Sequence, residues 1–377
     1  MGNGDWLYAV MNVGMLKIIS IITGFGFLVI IFPGCDSGED IKEEILPPKM
    51  VVAVPTPPPE PSIWDSVVYP TEQERLLNWR EPGVYQPTAS GKVEGALYGS
   101  VRTAKKRGRL LSSFHEGLDI ASLHRDRYSR PLDQIYAIAD GKVAYINKIA
   151  GNSSYGRYVV ITHDDPLGPG YTLYAHLEKI ASGLKNGQEI PVGTVLGVMG
   201  HSGLLNIPRY RAHLHFEVGL IYNSRFAAWA KSRKLNNEHG TYNGWNLEGI
   251  NPLSFFRELE SGDHFDFQSH LESIPRAFDI VVKVRSLPDY FQRYPMLWNG
   301  PDFSYGTIVI SCSENGIPLS GRELSQAESK ALGKKKQIIR NVDREVLGRN
   351  GCHLITYRRG NWELASNGER WRSLLLY

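Results

Sequence analysis

The chain has 377 residues, 42% of them hydrophobic, and a formal net charge of +3. This content is sufficient for one large or two ordinary folded domains with extensions, and it excludes a chain that is disordered as a whole. The charge is small and dispersed and no nucleic-acid recognition motif is present, so no nucleic-acid partner is expected. The basic runs at 105–109 and 334–336 are interpreted as solvated faces, although the first lies just before a candidate site and could bind an acidic polymer.

Residues 1–35 are predicted to be an export signal or a membrane anchor. After Lys17 the sequence continues as an uninterrupted apolar run, IISIITGFGFLVIIF. The run has the length of a signal-peptide core and is short for a membrane span of roughly 20 residues. Met15 with Lys17 makes a more ordinary signal start than Met1, so Met15 is an alternative first residue in the cell.

The apolar run ends in FPGC, where the small Gly34 precedes Cys35. This ending resembles the lipobox of bacterial lipoproteins, in which the cysteine is lipidated and becomes the first residue of the mature protein. Phe32 and Pro33 depart from the usual aliphatic and small residues, so an uncleaved anchor beginning near Met11 stays open. Either form predicts an exported protein of the bacterial cell envelope that is tethered to the membrane.

The rest of the chain is predicted to comprise three parts. Residues 36–79 begin with a stretch rich in proline and charge and are interpreted as a tether. Residues 80–257 contain short alternating segments separated by glycine turns, which predicts an all-β antiparallel domain of sandwich or barrel-like form, with helix at 224–239. Residues 258–377 combine β-like segments with a helical stretch at 325–340, which predicts a C-terminal α+β region of unknown role.

Two cysteines remain beyond Cys35, namely Cys312 and Cys352. An even pair in an oxidising compartment is compatible with a disulfide, but nothing in the sequence sets the distance between them. Their pairing therefore stays open.

The segment RYRAHLHFEV at 209–218 places two histidines two residues apart in an apolar run that is typical of a strand. Successive side chains of a strand point to opposite faces, so the apolar residues can fill a core while His213, His215 and Glu217 share the other face. The Cα atoms of the two histidines would be about 7 Å apart, close enough for both rings to reach one metal ion or its bound water. An isolated pair of this kind is more often polar surface, so further ligands are needed.

Other candidate ligands lie upstream. His115 and Asp119 are four apart in HEGLD, and on a straight strand they would be about 13 Å from each other, too far for one ion. A turn permitted by Gly117 can bring them together, and histidine with carboxylate suits Zn²⁺. His176 ends a third strand-like segment, YTLYAHL.

A family resemblance is carried by eight motifs in order: LYGSVR, HEGLDIA, IYAIADGKVAYI, YVVITH, YTLYAHL, GTVLGVMGHSG, HLHFEV and NPLSFF. Together they resemble the lysostaphin-type, LytM-like zinc metallopeptidases, which cut the peptides of bacterial peptidoglycan. The resemblance covers residues 93–256. It implies a zinc endopeptidase that hydrolyses peptide cross-links of the cell wall.

The resemblance implies that His115, Asp119 and His215 are the zinc ligands and that the fourth position is left for water. It implies that His176 and His213 flank this water. Zinc with three protein ligands lowers the pKa of its water to about 7. An imidazole with an unperturbed pKa of about 6.5 can accept the proton of that water and later protonate the departing amine. Which histidine acts as the base stays open.

Several nearby residues receive plainer interpretations. Glu217 could orient a ligand ring, but a solvent-facing glutamate is the favoured interpretation. His163 is interpreted as a turn residue, and His124 and His201 as loop residues. The loop GLLNIPRYRA before HLH is about four residues longer than in the family and has Ala212 where proline is expected, so the peptide that is cut could differ from that of the glycyl-glycine endopeptidases.

Two alternatives to the enzyme remain. One is a LytM-like module without catalytic activity that binds and activates another wall hydrolase. Such modules typically have lost metal ligands, whereas this sequence retains all three and both accessory histidines. The other assigns the main role to residues 258–377 as a binding or assembly domain.

Overall fold

The computed structural model describes residues 8–13, 16–23, 26–33, 62–106, 109–165, 168–204, 207–262, 265–301, 303, 305–332, 337–350 and 352–377. Side chains are described from residue 62 onward, except at 103–112 and 331–332. The chain divides into two compact units, Met1–Pro59 and Glu60–Tyr377.

The first unit contains an antiparallel meander of three strands, β1 (Tyr8–Val13), β2 (Leu16–Thr23) and β3 (Gly26–Pro33). Cys35 and the predicted tether up to residue 61 lie outside the described residues. None of the helices in the described part of the chain has the length and apolar character that a membrane crossing requires. The lipid anchor and the export signal therefore stay predictions.

The second unit is built mainly from antiparallel strands. Its strands up to residue 250 are β4 (Val101–Lys106), β5 (Arg109–Phe114), β6 (Leu118–Ala121), β7 (Gln134–Tyr136), β8 (Gly141–Asn147), β9 (Tyr158–His163), β10 (Gly170–Ala175), β11 (Lys179–Ile180), β12 (Glu189–Ile190), β13 (Val195–Val198), β14 (His213–Ile221) and β15 (Leu247–Ile250). The predicted all-β class of this region is confirmed.

Strand β14 lies at the centre of the largest sheet in the described part of the chain. The strand order is β12-β8-β9-β10-β14-β15, and β6 pairs with β14 as well. Strands β6 and β15 pair with successive halves of the same edge of β14, while β10 pairs with its other edge. Strands β7, β11 and β13 form a second sheet, and β4 pairs with β5 as a hairpin.

The two faces of β14 differ as the alternation of its residues predicts. Leu214, Phe216 and Val218 are fully buried in the main hydrophobic core. His213 and His215 belong to the opposite face, and they are also buried, at 4% and 7% exposure. A central strand that is covered on both faces holds its side chains in fixed positions, which suits a site that needs defined geometry.

The C-terminal part is a mixture of strands and helices, as predicted. Its strands are β16 (Phe278–Val284), β17 (Trp298–Asn299), β18 (Gly306–Cys312), β19 (Pro318–Glu323), β20 (Gln337–Arg340), β21 (Ile355–Arg358) and β22 (Asn361–Leu364). The sheet order is β17-β19-β18-β16-β20, and β21 pairs with β22. The helices of the second unit are α1 (Phe226–Ser232), α2 (Pro252–Glu260), α3 (Phe267–Ser273), α4 (Asp289–Arg293), α5 (Gln326–Leu332), α6 (Arg344–Leu347) and α7 (Ser366–Leu375).

Two helix predictions were too long. Of the helix expected at 224–239, only α1 (Phe226–Ser232) is present. Lys234, just beyond α1, has a left-handed φ of 56°, which a continuing helix cannot contain. The helix expected at 325–340 stops at Leu332, and Ile338 and Ile339 belong to β20, where they pair with β16. These β-branched residues fit a pleated sheet better than a helix.

The packed body begins before residue 80. Trp64 is fully buried and its ring packs against Phe255 and Phe267. The proline-rich composition upstream concealed this short apolar anchor, and the predicted tether is therefore wrong from residue 62 onward. The same core includes residues on both sides of the predicted boundary at 257, which itself stays a prediction.

Both C-terminal cysteines are described, and no disulfide joins them. Cys312 is buried at the end of β18, and Cys352 is partly buried.

Candidate metal centre

The pairing of β6 with β14 brings the first two candidate ligands together. In this antiparallel register Asp119 lies directly opposite His215. Residues opposite each other on neighbouring strands have Cβ atoms about 4.5–5.5 Å apart and share a face of the sheet. The carboxylate and the imidazole therefore converge, with Asp119 Oδ1 at 3.0 Å from His215 Nδ1.

His115 reaches the same point from the link between β5 and β6. Its backbone is fixed by mutual hydrogen bonds, in which His115 N donates to Ser100 O and Gly99 N donates to His115 O. The structure gives Gly117 a different role from the predicted turn, because its φ lies outside the left-handed region. A Cβ at Gly117 would lie 2.3 Å from Phe216 O, so glycine allows β6 to approach β14 closely.

The three candidate ligand atoms form a nearly equilateral triangle. His115 Nε2 is 3.1 Å from Asp119 Oδ1 and 3.1 Å from His215 Nδ1, and the third edge is 3.0 Å. A tetrahedral zinc ion with bonds of about 2.0–2.1 Å has ligand atoms roughly 3.3 Å apart. The triangle therefore fits three corners of such a tetrahedron.

The tautomers implied by the outer hydrogen bonds support a cation at this point. His115 Nδ1 donates to Leu97 O at 2.8 Å, so its Nε2 carries the lone pair in the neutral ring. His215 Nε2 lies 2.8 Å from Glu217 Oε1 and donates to it, so the neutral ring presents the lone pair of Nδ1 to Asp119. Three converging acceptors repel one another unless a proton, a cationic side chain or a metal ion lies among them. The residues that could hold a metal ion are therefore His115, Asp119 and His215, all buried.

Glu217 orients His215, and the predicted solvent-facing position is wrong. Its side chain is 1% exposed and also accepts hydrogen bonds from the hydroxyl groups of Tyr155 and Tyr171, both at 2.8 Å. A buried carboxylate requires such donors because desolvation of an unpaired charge is costly. A carboxylate on the far nitrogen of a ligand ring fixes its tautomer and raises its basicity.

His176 and His213 lie beside the triangle. Their ring centroids are 4.8 Å apart, and that of His176 is 5.9 Å from His215. His176 leaves β10 with a φ of 63°, in the left-handed region that few residues other than glycine adopt. In each ring Nδ1 donates to a backbone carbonyl at 2.7 Å, that of Ser202 for His176 and that of Arg211 for His213. The Nε2 atoms are thereby left as proton acceptors.

The four histidines of the site differ in the direction in which their surroundings shift the pKa. Burial lowers the pKa of His115 and His213 below the usual 6.5, and burial with the neighbouring His213 lowers that of His176 well below it. Burial would also lower the pKa of His215, but its hydrogen bonds to Asp119 and Glu217 outweigh this and raise it to about 9. In the metal-free protein a proton on His215 therefore offsets the two carboxylates.

Burial acts in the opposite direction on Asp119. It would raise the pKa of this carboxyl, but His115, His213 and the hydrogen bond from His215 hold the pKa well below its usual range. Asp119 is therefore ionised at neutral pH and can act as a ligand without first losing a proton.

Arg102 is a site residue that the sequence analysis missed. Its Nη2 donates to His115 Nε2 at 3.0 Å and forms an ion pair with Asp119 Oδ2. The residue lies in β4, where it pairs with Ser113, two residues before His115. A signal was present, because Arg102 closes the motif LYGSVR, but its distance along the chain concealed the contact.

The other three histidines that the sequence analysis considered do not join the cluster. His163 ends β9 as a buried strand residue, not the predicted turn residue, and its ring bonds Asp140 O and Thr172 Oγ1. His124 is exposed, as expected of a loop residue, and pairs with Glu72 at 3.4 Å. His201 Nδ1 donates to Ile207 O, within the loop before β14.

The buried antiparallel sheet thus places two histidines and an aspartate around one point, where they could hold a metal ion. The sequence model of peptidase family M23 matches residues 113–226, a span that contains the triangle and both flanking histidines. This part of the chain is similar to peptidase family M23, in agreement with the resemblance found in the sequence.

Solved structures with which this chain shares similarity include three named peptidases. A zinc-containing peptidase from Vibrio cholerae is 28% identical, with 36% of each chain covered and a TM-score of 0.22. The catalytic domain of lysostaphin from Staphylococcus simulans is 18% identical over 43% of this chain and 90% of that domain, with a TM-score of 0.27. A putative glycyl-glycine endopeptidase lytM from Ruminococcus gnavus is 21% identical over 50% of this chain and 64% of its own, with a TM-score of 0.25.

This chain therefore spans about a third of the Vibrio protein. No curated protein matches the chain.

Proposed function

We propose that this protein is a zinc-dependent endopeptidase that hydrolyses peptide cross-links of bacterial peptidoglycan. The observation that carries the proposal is the convergence of His115, Asp119 and His215 within 3.0–3.1 Å, with the rings of His176 and His213 next to them. Two imidazole nitrogens and one carboxylate oxygen are a donor set that suits Zn²⁺, and three protein ligands are typical of catalytic zinc sites. Zinc would polarise the scissile carbonyl and acidify the attacking water.

The side chains of this chain then carry out the proton transfers. His176 and His213 are neutral at neutral pH because burial lowers the pKa of both rings. One Nε2 accepts the proton of the attacking water, and a protonated imidazole returns a proton to the departing amine. The other ring can donate a hydrogen bond to the oxyanion when it is protonated. Glu217 and Leu97 O hold the ligand rings in the tautomers that the reaction needs.

The direct test is digestion of purified peptidoglycan with the full chain. We expect new free amino groups, about one zinc per chain, and loss of both after treatment with a chelator, with recovery when zinc is returned. A zinc-loaded protein that releases no amine from several peptidoglycan chemotypes would instead support the non-catalytic activator.

We further propose that residues 1–35 direct export and that the mature protein is tethered to a bacterial membrane through lipid on Cys35. The apolar run before FPGC and the proline-rich sequence after it support this proposal. Mass spectrometry of the mature protein should find an acylated amino terminus at Cys35. An intact, unmodified segment upstream of Cys35 would support the uncleaved anchor.

A further inference from the structure

Two loops with a high density of arginine adjoin the proposed metal centre. One loop, 122–132, follows β6, and the other, 201–212, precedes β14. Ala121 at the end of β6 pairs with His213 at the start of β14, so both loops leave the sheet at the same place. We refer to Arg125, Arg127, Arg130, Arg209 and Arg211 as the arginine rim.

The charge of this surface is larger than that of the whole chain. Residues 122–132 and 207–212 contain five arginines and one acidic residue, Asp126, whereas the complete protein has a formal net charge of only +3. A local concentration of one sign attracts ligands of the opposite sign and orients them before contact. The rim is therefore suited to an anionic ligand.

Hydrogen bonds join the two loops to each other before any ligand binds. Arg125 donates from Nη1 to Arg209 O at 3.1 Å and from Nη2 to Ala212 O at 2.8 Å. Arg209 in turn donates from Nη1 to Tyr128 O at 3.4 Å. A surface that is already ordered has a smaller entropic cost of binding than a mobile one. Arg125 thus acts as a structural clamp between the two loops.

Three arginines of the rim are exposed, and two of them have no ion-pair partner in the part of the chain that the structure describes. Arg130 forms an ion pair with Asp126 at 2.8 Å. The guanidinium of Arg127 lies 4.7 Å from the ring centroid of Tyr128, and neither Arg127 nor Arg209 has a carboxylate partner among the residues that the structure describes. Both side chains are exposed.

Exposed aromatic rings accompany the free arginines. Tyr128 is 52% exposed and Tyr210 is 70% exposed. Large exposed aromatic groups beside arginine are typical of binding surfaces, where they add contact area at low conformational cost.

The rim is close to the position where chemistry is proposed. Arg211 O accepts the hydrogen bond from His213 Nδ1 at 2.7 Å. This hydrogen bond holds the backbone of Arg211 next to the ring of His213. A peptide with its scissile bond beside His213 therefore places its neighbouring residues over the rim.

We propose that the arginine rim binds carboxylate groups of the peptide substrate and selects stem peptides with free carboxylates over their amidated forms. This inference rests on the proposed function and adds a substrate class to it. The planar fork of arginine matches a carboxylate in two hydrogen bonds, whereas a carboxamide offers only one acceptor oxygen and no charge. The longer loop before β14 thus supplies Arg209 for recognition.

The test measures binding to the metal-free full chain, so that it does not depend on catalysis. The probes are a stem tetrapeptide with a free α-carboxylate on its γ-linked D-glutamate and the same peptide with D-isoglutamine. We expect the wild-type protein to bind the carboxylate form about tenfold more tightly at low ionic strength, in line with hydrogen bonds to charged groups. The preference should shrink in about 1 M salt, where the Debye length is roughly 3 Å.

Two double variants separate the rim from general charge. Arg127→Gln with Arg209→Gln should abolish the preference for the carboxylate form. Arg285→Gln with Arg358→Gln removes the same charge at exposed positions of the C-terminal part and should retain the preference. Equal binding of the two peptides by the wild-type protein, or an unchanged preference in the first variant, would overturn the inference.

Failure of the rim and failure of the proposed function give different results. Hydrolysis of peptidoglycan without discrimination between the two peptides would support the proposed function and contradict the inference about the rim. Discrimination between the two peptides without release of amine would support the inference about the rim and contradict the proposed enzyme. Poly(glycerol phosphate) serves as a probe for the alternative that the rim binds an acidic polymer. If Arg127→Gln with Arg209→Gln loses binding of this polymer but still discriminates between the two peptides, the rim binds an acidic polymer and the inference is wrong.

Discussion

His213 and His215 are neighbours on one face of β14, yet we expect their replacement to have different effects. His215→Ala removes a proposed ligand, so zinc content and activity should fall together. His213→Ala leaves the triangle of His115, Asp119 and His215 intact, so zinc should be largely retained while turnover falls by about 10²- to 10⁴-fold. Zinc analysis and turnover on one cross-linked peptide, measured in parallel, check both expectations. Complete loss of zinc in His213→Ala would mean that the two roles are misassigned, and near-normal turnover would make His213 an ordinary strand residue.

Glu217 provides a second test at the scale of single residues. Glu217→Gln keeps the size of the side chain but replaces one acceptor oxygen with an amide donor, which opposes the donors from His215, Tyr155 or Tyr171. Loss of such an outer carboxylate typically weakens metal binding by about 10- to 100-fold. Competition with a chelator measures this change, and the exposed Glu189→Gln serves as the control. Equal zinc affinity in the two variants would contradict the orienting role of Glu217.

The sequence analysis named five residues that the structure brings close together, but it did not predict their surroundings. Residue type and spacing along one strand indicated His213 and His215, because alternation is a local property of the chain. The contacts of Arg102 and the burial of Glu217 depend on strands that are distant in sequence. The left-handed φ of His176 could not be predicted from its residue type, because histidine adopts this region only where the surrounding structure enforces it.

At the scale of elements, the close pairing of β6 and β14 sets the geometry of the triangle. Gly117→Ala would place a Cβ 2.3 Å from Phe216 O, a backbone atom that cannot rotate away. The strands must then separate, so we expect a loss of about 1–3 kcal/mol in unfolding free energy together with weaker zinc binding. Denaturant titration and chelator competition measure the two effects.

A matched glycine provides the control for this substitution. A Cβ at Gly151 would meet nothing within 4 Å, so Gly151→Ala should be neutral in both measurements. If Gly117→Ala were equally neutral, the register of β6 on β14 would be wrong. The sequence analysis interpreted Gly117 as a turn residue, because a glycine pattern alone does not distinguish a tight turn from a close approach of two strands.

At the scale of the whole molecule, the C-terminal part packs against the domain that holds the candidate metal centre, near strand β14. The hydroxyl oxygen of Tyr294 accepts a hydrogen bond from the backbone N–H of Ile221 in β14 at 2.8 Å. Asn223 Nδ2 donates to Leu374 O at 3.0 Å, and Trp229 Nε1 donates to Ser373 Oγ at 3.1 Å. Because these buried contacts join both parts to one hydrophobic core, we expect residues 62–377 to unfold as one cooperative unit.

The variant Tyr294→Phe tests this coupling across the predicted boundary at 257. It removes the acceptor of the Ile221 N–H and leaves that donor buried without a partner, which costs about 1–3 kcal/mol. In a single cooperative unit the loss should lower the midpoint of one calorimetric transition and reduce zinc retention on heating to the same extent, because β14 unfolds with the C-terminal part. Tyr357→Phe, at a half-exposed position in β21, should change neither quantity. Two separate transitions, with the zinc-releasing one unaffected by Tyr294→Phe, would show that residues 258–377 fold independently of the metal centre.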